Sequence, residues 1–374
     1  MFADLETPCL LLDRSILQAN LVEMAGRIAA KGAKFRPHLK TAKSIDVARA
    51  AAALGADRWT VSTLKEAEYF AGHGLTDMLY TLSIVPQKVE RIMRLNRAGA
   101  DIAVCLDTLD GAKALAEMNL EGPGLRVFLE IDVDHHRTGL QPGDGRILDV
   151  ARSVAAAPHL ILAGVMAHGG DSYSAKDMAG IVAMAEQERR ITVAAAEAIR
   201  AEGIPCPIVS VGSSPTAREG LTLDGVSEVR AGVYMFQDVF QANLGVCRLD
   251  DIAMTVLTTV VSHAPHLNRL IIDAGGLALS KDRSCAIQAN DCGYGLLWHE
   301  DGTLAEGLHV KGVSQEHGYV TSLDGSPVDL KAYPVGSRLR VLPNHACMTA
   351  AAYDGYHMIG NGAVTGWWPR VNGW

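Results

Sequence analysis

The sequence predicts an α/β fold: a TIM-like (β/α)8 barrel with a second, mostly antiparallel β domain. The length of 374 residues exceeds one average domain. Up to about residue 240, short apolar runs alternate with alanine-rich helical stretches, whereas the later chain is rich in Val, Ile and Thr with turn signals between strands. We expect the barrel over 10–240 and the β domain over 241–374 together with residues 1–9.

The predicted barrel strands are continuously apolar, as expected for parallel strands buried on both faces. With the helices between them they make roughly eight βα units, the size of a (β/α)8 barrel. An open doubly wound sheet usually carries a glycine fingerprint after its first strand, and no GxGxxG occurs there. The predicted strands are 10–13, 34–38, 59–62, 78–81, 102–106, 125–133, 160–168, 208–212 and 227–233, and the predicted helices are 14–31, 64–73, 86–98, 146–156 and 175–202.

The β domain is predicted from segments of high strand propensity that are separated by turn dipeptides such as Asp-Gly. No proline-rich linker or repeat precedes it, so we expect a firm interface between the two domains. The segments predicted as strands are 252–264, 269–275, 308–320, 338–349 and the C-terminal tail.

Charge and composition exclude several classes of function. The net charge is −8 without a long basic run, which makes nucleic acid and anionic membranes poor partners. No apolar stretch approaches the ~20 residues of a membrane span, and the acidic N-terminus lacks the basic segment of a signal peptide. Seven scattered cysteines without a CxxC pair do not form a disulfide framework. We therefore expect a cytoplasmic protein.

Lys40 is the first candidate for chemistry, in the segment RPHLKT at 36–41. It follows a predicted barrel strand, and barrel enzymes gather their function at the carboxyl ends of the strands. A lysine in a loop is most often solvated. At the mouth of a barrel, however, its amine can form a Schiff base.

The segment VGSSPT at 211–216 is the second candidate, because it joins a late strand to a helix. Small residues and hydroxyls there allow close backbone approach and supply N–H donors to a phosphate. Gly232 ends the following predicted strand, and phosphate sites in barrels often use the loops after the last two strands. A lysine at an early strand and a phosphate cradle at late strands indicate pyridoxal phosphate.

His345 and Cys347, in PNHAC, are candidate metal ligands. If this segment continues the predicted strand, residues i and i+2 face the same side. Imidazole and thiolate together suit Zn²⁺ better than Mg²⁺ or Mn²⁺. Two protein ligands leave coordination positions open for substrate or water, which is typical of a catalytic site, although an H-x-C pair is common by itself.

These residues stand in motifs that resemble the D-serine dehydratase-like enzymes, the family that also includes D-threo-3-hydroxyaspartate dehydratase. They belong to the fold-type III pyridoxal phosphate enzymes, with D-threonine aldolase and, more distantly, alanine racemase. The resemblance covers nearly the whole chain and implies an alanine racemase-like fold. Its ordered motifs are RPHLKTAKS, TVSTLKEAE, EIDVDHHRTG, VSVGSSPT, EVRAGVY, DAG, QEHG and PNHAC.

The resemblance implies a role for each matching position. Lys40 would be the Schiff-base lysine and the base that removes the Cα proton, and Arg137 would face the cofactor ring. Gly212, Ser213, Gly232 and Tyr234 would bind the phosphate. The complete predicted set is Lys40, Arg137, His168, Tyr173, Gly212, Ser213, Ser214, Gly232 and Tyr234 for the cofactor, and His345 and Cys347 for the metal.

The activity implied is zinc-assisted β-elimination from a D-3-hydroxy amino acid, which yields a 2-oxo acid and ammonia. D-serine, D-threonine and D-threo-3-hydroxyaspartate remain alternative substrates. In this fold type the β domain of one subunit usually completes the active site of its partner, so the resemblance also implies a homodimer.

Three alternatives remain open. A metal-dependent aldolase, using Mn²⁺ or Mg²⁺, would cleave the same substrates to glycine and an aldehyde, but the aldolase branch carries H-x-D where this chain has H-x-C. A racemase needs a second base, for which Tyr294 or Tyr319 is available, and a non-catalytic cofactor carrier would lack the β domain. The remaining candidates are Lys43, expected to be structural; Asp273, Gln315 and His317, expected near the site; and His135, His136, His263 and His266, expected at the surface.

Overall fold

Strands and helices alternate through the first part of the chain because short apolar runs are followed by amphipathic segments. The structure, a computed structural model, describes residues 2–135 and 137–374. In chain order the elements are β1 (Cys9–Asp13), α1 (Arg14–Ala30), β2 (Lys34–Pro37), α2 (Ile45–Ala52), β3 (Trp59–Val61), α3 (Leu64–Gly72), β4 (Asp77–Tyr80), α4 (Pro86–Arg97), β5 (Asp101–Leu106), α5 (Leu109–Ala116), β6 (Leu125–Ile131), α6 (Arg146–Ala156), β7 (Leu160–Ala167), α7 (Met178–Ala201), β8 (Ile208–Val211), α8 (Ser214–Glu219) and β9 (Glu228–Ala231).

Strands β2 to β9 form a parallel barrel, as the sequence predicts. Within the described residues, eight strands are ordered β2-β9-β8-β7-β6-β5-β4-β3, and all neighbours in this order are parallel. The ring closes between β2 and β3, where the Leu39 N–H donates to the Thr60 carbonyl at 2.9 Å. The barrel unit comprises Val22–Gly232 and Val371–Trp374.

The second unit, here called the β unit, comprises residues up to Leu21 together with Val233–Arg370. In the part of the chain that the structure describes, its strands form one nine-stranded sheet, and only β1 and β16 pair in parallel. Its further elements are α9 (Val239–Asn243), β10 (Met254–Ala264), β11 (Arg269–Ile272), α10 (Gly276–Leu279), β12 (Gly295–His299), β13 (Leu304–Val313), β14 (Gly318–Ser322), β15 (Arg338–Pro343), α11 (Ala346–Ala350), β16 (Gly355–Gly360) and β17 (Ala363–Pro369), and the sheet order is β11-β14-β13-β12-β15-β10-β1-β16-β17.

The strand predicted at 10–13 does not belong to the barrel. Leu11 pairs with Thr255 of β10 on one side and with His357 of β16 on the other, so β1 lies inside the β-unit sheet. An apolar run that is buried on both faces fits a central strand of either sheet. The pattern therefore predicted the strand but assigned it to the wrong sheet.

The strand predicted over 338–349 ends earlier than expected. β15 stops at Pro343, and His345 is the N-cap of the short helix α11. The Thr349 N–H donates to the His345 carbonyl at 3.1 Å, and the Ala346 N–H donates to Asp238 Oδ2 at 2.9 Å. A carboxylate that accepts an N–H of the first turn stabilises a helix start. His345 and Cys347 are thus placed by a helix start and not by strand alternation.

Two further expectations from the sequence concern disulfide bonds and membrane-spanning helices. All seven cysteines lie in the described residues, and each is a free thiol there. Across residues 2–135 and 137–374, no helix is both long enough and apolar enough to cross a bilayer.

Buried charges hold the closing strands of the barrel together. Arg36 of β2 is 1% exposed, and its Nε lies 2.8 Å from Oε1 of the fully buried Glu228 on β9. The same guanidinium donates to the Trp59 carbonyl at 3.1 Å and to Asp77 Oδ1 at 2.9 Å. Burial by itself would lower the pKa of Arg36, but Glu228 and Asp77 raise it. Arg36 therefore stays charged and links β2 to β9, β3 and β4.

Arg36→Met should destabilise the protein, because it removes the nearer guanidinium from the buried Glu228 carboxylate and leaves only Arg58, at 3.5 Å. We expect a loss of about 3–5 kcal/mol in the free energy of unfolding, measured by denaturant titration. Arg49→Met is the matched control. Arg49 is 61% exposed and 3.8 Å from Asp46, so its removal should cost less than about 1 kcal/mol. Equal losses in the two variants would contradict a structural role for the buried pair.

Candidate active site

The carboxyl ends of β2, β3 and β4 bring a histidine and two hydroxyls to the position of Lys40. His38 Nε2 lies 3.3 Å from Ser62 Oγ and 3.4 Å from Thr81 Oγ1, and the Lys40 backbone N–H approaches His38 Nδ1 at 3.4 Å. The Lys40 side chain is exposed and comes three residues after the end of β2. Lys40 therefore follows the carboxyl end of a barrel strand, and its role as the Schiff-base lysine stays a prediction.

Both histidines of this face are neutral at physiological pH. Burial lowers the pKa of His38 well below its ordinary value, and the positive charges of Lys40 and Arg230 lower it further. For His168, burial followed by Lys40 and Arg137 lowers the pKa to about 3. His168 Nδ1–H donates to the Gly212 carbonyl at 3.0 Å, so Nε2 of its neutral ring is left as a proton acceptor.

Two glycines allow the close backbone packing of the predicted phosphate loops. Gly212 follows β8 with φ +133°, and a Cβ built there would lie 2.1 Å from the Arg230 carbonyl oxygen. A Cβ at Gly232, which follows β9, would lie 3.0 Å from the His38 carbonyl oxygen. Gly212 is therefore required by both conformation and space, and Gly232 leaves little room for a side chain.

Two of the N–H groups that the sequence predicts as phosphate donors already donate hydrogen bonds to other residues of the protein. The Gly212 N–H donates to Glu188 Oε1 at 2.8 Å, and the Ser213 N–H donates to Thr216 Oγ1 at 2.9 Å. The Ser214 N–H makes a longer contact, 3.4 Å, with the Tyr173 hydroxyl. The Gly212 and Ser213 N–H groups are thus bonded within the protein, and phosphate binding at these residues stays a prediction.

Arg137 lies beside a cavity at the end of β6. Its Nη2 is 3.0 Å from Oε1 of the buried Glu130, while half of its own side chain is exposed. This geometry pairs the guanidinium with a carboxylate and leaves its remaining N–H groups accessible. The cavity is lined by Glu130, Ile131, Asp132, Val133, Asp134, Arg137, Thr138 and His168.

Tyr234, the remaining predicted phosphate ligand, belongs to the β unit. Its side chain is buried, and burial raises the pKa of its hydroxyl. The phenol is therefore neutral and can act only as a hydrogen-bonding group.

The predicted metal ligands meet in the β unit. His345 makes a side-chain hydrogen bond with Asp282, in which its Nδ1 lies 2.5 Å from Asp282 Oδ2, and Cys347 lies close enough to influence the pKa of its imidazole. Burial would lower the pKa of His345, but these partners raise it to about 11. The hydrogen bond to His345 likewise lowers the pKa of Asp282 to about 2. The contact to Asp282 occupies Nδ1, which leaves Nε2 as the nitrogen able to bind a metal.

Two carboxylates and an amide hold this segment in place. Asp282 also accepts the Ser284 N–H at 2.7 Å, and Asp238 Oδ2 accepts the Ala346 N–H at 2.9 Å. Asn344 donates to the Asp282 carbonyl at 2.7 Å and accepts the Cys285 N–H at 3.1 Å. The backbone that carries His345 is therefore fixed on both sides.

An imidazole beside a thiol fits Zn²⁺, and the contact of its other nitrogen with a carboxylate is the usual arrangement behind a zinc-binding histidine. In the described residues no group of three or more His, Cys, Asp or Glu side chains is arranged to hold a metal. The remaining coordination positions would fall to water or substrate, as in catalytic zinc sites.

Comparison with known families decides the relationship. The model for the alanine racemase N-terminal domain matches residues 12–239, and the model for a putative serine dehydratase domain matches residues 253–359. A D-threo-3-hydroxyaspartate dehydratase from Delftia sp. is 42% identical over 99% of this chain and 98% of its own. The chain belongs to the D-serine dehydratase-like family of fold-type III pyridoxal phosphate enzymes.

Other relatives of this D-serine dehydratase-like protein carry two kinds of activity in their names. A D-serine dehydratase from Dictyostelium discoideum is 32% identical over 96% of this chain and 94% of its own. A 3-hydroxy-D-aspartate aldolase from Paracoccus denitrificans is 30% identical over 98% of this chain and 92% of its own. Dehydratases and an aldolase therefore both occur among the relatives of this chain.

Solved structures agree with the fold. The Delftia sp. HT23 D-threo-3-hydroxyaspartate dehydratase superposes with a TM-score of 0.96 at 42% identity, covering 99% of this chain and 98% of its own. A variant of D-threo-3-hydroxyaspartate dehydratase, described as metal-free, superposes with a TM-score of 0.97 at the same identity and coverage. Alanine racemase from Corynebacterium glutamicum superposes with a TM-score of 0.64 at 21% identity, covering 90% of each chain, and supports the fold alone. The predicted alanine racemase-like fold of this D-serine dehydratase-like protein is confirmed.

Sequence reasoning missed three residues that position the site of this D-serine dehydratase-like protein: His38, Glu188 and Asp282. His38 was visible in RPHLKT, but its contacts to Ser62 and Thr81 depend on neighbouring strands. Glu188 lies inside a long helix, and Asp282 is 63 residues before His345, so neither spacing carries a signal.

The residues outside the motifs have mainly structural surroundings. Lys43 Nζ lies 3.3 Å from Glu66 Oε1, and Asp273 accepts hydrogen bonds from two threonine hydroxyls, at 2.5 Å from Thr7 and 2.6 Å from Thr258. His136 lies outside the described residues. Of the others, Gln315, His317, His135 and His266 are exposed, and His263 is half-buried with Nε2 2.7 Å from the Tyr333 carbonyl.

His168 should remain neutral from pH 8 down to about pH 4, because its pKa in the folded protein is about 3. The unfolded chain takes up a proton near pH 6.5. The stability contributed by the neutral ring is therefore complete above about pH 6.5 and falls as the pH decreases toward 3. The ring ¹⁵N chemical shifts of selectively labelled protein report this state. A titration midpoint near 6.5 would contradict it.

Proposed function

We propose that this protein is a pyridoxal phosphate- and zinc-dependent lyase that converts a D-3-hydroxy amino acid to a 2-oxo acid and ammonia. The observation that carries the proposal is the pair of His345 and Cys347 at the start of α11, with His345 Nδ1 bonded to Asp282, in the β unit of a fold-type III enzyme. Its relatives at 42% and 32% identity are named dehydratases of D-threo-3-hydroxyaspartate and D-serine. The substrate is proposed at the level of this class.

Lys40 is proposed to bind the cofactor and to remove the Cα proton. Its side chain is accessible, and His38 and His168 beside it are neutral, so neither ring adds a positive charge to the site. Pyridoxal phosphate, when bound, supplies an electron sink for the charge that develops on Cα. Arg137 would face the cofactor ring, and His168, Tyr173, Gly212, Ser213, Ser214, Gly232 and Tyr234 would complete its binding site.

His345 and Cys347 are proposed to hold Zn²⁺, with Asp282 orienting the imidazole. When bound, the metal supplies Lewis acidity that favours departure of the β-hydroxyl. Loss of the Cα proton and the hydroxyl removes water from the substrate. The resulting enamine then takes up water and releases ammonia, which balances the overall conversion to a 2-oxo acid.

We also propose that the protein is a cytoplasmic homodimer in which the β unit of one subunit serves its partner. Large apolar side chains are exposed near the segment that carries His345 and Cys347. Leu277 is 57% exposed, Ile287 74% and Met348 49%. The Thr349 hydroxyl donates to the Leu279 carbonyl at 3.0 Å, which joins α10 to α11. An apolar surface around polar ligands is typical of a protein interface.

The purified protein with pyridoxal phosphate and Zn²⁺ should convert at least one of D-serine, D-threonine and the D-3-hydroxyaspartate diastereomers to 2-oxo acid and ammonia. Both products are quantified, together with glycine and aldehyde. Glycine and aldehyde as the main products would make the protein an aldolase, the activity named for its 30% identical relative.

Two variants make this assay specific. Lys40→Ala should abolish turnover and the visible absorbance of the bound cofactor, whereas Lys43→Gln in the same loop should keep both. Retained absorbance in Lys40→Ala would assign the cofactor to another lysine. Size-exclusion chromatography with light scattering on the wild-type sample gives the subunit number, and a monomeric mass in the active preparation would reject the dimer.

Variants of the metal ligands should distinguish the metal site from the cofactor site. His345→Ala and Cys347→Ala should lose bound zinc and elimination but retain the cofactor absorbance. Asp282→Asn keeps both ligands and weakens the hydrogen bond that orients the imidazole, so zinc affinity should fall about 10- to 100-fold. Chelator competition measures that affinity, with Asp301→Asn, an exposed aspartate of the same unit, as the control. Unchanged zinc affinity in both ligand variants would place the metal elsewhere.

A further inference from the structure

Glu188 of α7 is a buried carboxylate that the proposed chemistry does not use. Its side chain is 1% exposed. Oε1 accepts the N–H of Gly169 and the N–H of Gly212, each at 2.8 Å, and Oε2 accepts the Thr216 hydroxyl at 2.8 Å. One carboxylate therefore binds the loop after β7 and the loop after β8.

The groups bound by Glu188 continue into a closed network. The Thr216 hydroxyl oxygen accepts the Ser213 N–H at 2.9 Å, and Ser213 Oγ lies 2.9 Å from Ser172 Oγ. Ser172 in turn donates to the Gly169 carbonyl at 2.6 Å. The two loops are thus bonded to each other as well as to α7.

The Glu188 side chain packs closely against the loop after β7. A Cβ at Gly169 would lie 3.3 Å from the Glu188 carboxylate and 3.2 Å from Thr216. Burial raises the pKa of Glu188, while its hydrogen bonds and the charge of Arg230 lower it. Because burying a carboxylate is costly, an apolar residue would serve better if α7 needed only to pack against the barrel.

The loops that Glu188 joins carry most of the residues predicted to contact the cofactor. His168 precedes Gly169 and donates to the Gly212 carbonyl, and Tyr173 contacts the Ser214 N–H. Ser213 begins α8 with its side chain and that of Thr216 in a reciprocal capping box. The position of these groups therefore depends on a carboxylate from a helix that no motif includes.

We propose that Glu188 is the positioning residue of the phosphate-binding loops and thereby sets the affinity of the barrel for the phosphate group of pyridoxal phosphate. The inference rests on the proposed cofactor and adds a residue that holds the phosphate-binding loops in position. Glu188 acts by holding the loop backbones after β7 and β8 through the N–H groups of Gly169 and Gly212, and it also binds the Thr216 hydroxyl in the first turn of α8.

The experiment compares pyridoxal phosphate with pyridoxal, which lacks the phosphate, in titrations of the apoprotein followed by absorbance. In Glu188→Ala the dissociation constant for pyridoxal phosphate should rise about tenfold or more. The Gly169 and Gly212 N–H groups lose their acceptor there, so the two loops lose the contact that positions them. The constant for pyridoxal should stay within about threefold of wild type. Glu197→Ala, on the exposed side of the same helix, should change neither constant.

Glu188→Gln keeps the proposal testable if the alanine variant does not fold. Its amide oxygen can accept both glycine N–H groups, so pyridoxal phosphate affinity should fall less than in Glu188→Ala but remain below wild type. Equal losses for the two ligands would mean that Glu188 only stabilises the fold, and unchanged affinity for pyridoxal phosphate would mean that the loops do not need it. A wild-type protein that does not bind pyridoxal phosphate would overturn the cofactor assignment as well, a result distinct from either variant.

Discussion

The contact between Arg36 and Glu228 is the interaction on which the barrel site depends. It joins β2 to β9 at 2.8 Å, and the other bonds of Arg36 reach β3 and β4. Lys40 follows β2 and Gly232 follows β9, so this pair joins the two strands that lead to these residues. A parallel barrel exposes its strand ends on one face, and the buried charges keep those ends in register.

Buried carboxylates position loops in both units of the chain. Glu188 binds two glycine N–H groups in the barrel unit, and Asp282 and Asp238 bind the segment around His345 in the β unit. A carboxylate can accept several hydrogen bonds at once, and bonds to an ionised group are stronger than neutral ones. Loop residues that must hold a cofactor or a metal gain a defined position in this way.

Much of the fold could be predicted because local pattern and tertiary environment agree. The parallel strands are apolar on both faces, and the predicted helices 64–73, 86–98 and 146–156 agree with the structure to within one residue at either end. Residues 10–13 went to the wrong sheet because the apolar pattern of a doubly buried strand is the same in a parallel and in a mixed sheet. The strand predicted through His345 failed because the helix start is stabilised by Asp238, more than 100 residues earlier in the chain.

The sequence by itself determined the barrel with its β domain, the family, and the presence of Lys40 at a strand end. These features follow from short-range patterns and ordered motifs, which do not require knowledge of distant contacts. Only the tertiary structure decided that Asp282 binds His345, that Glu188 occupies the Gly212 N–H, and that His38 contacts Ser62 and Thr81. Each of these depends on a hydrogen bond between residues separated in the chain, and hydrogen bonds require distances that only the folded backbone provides.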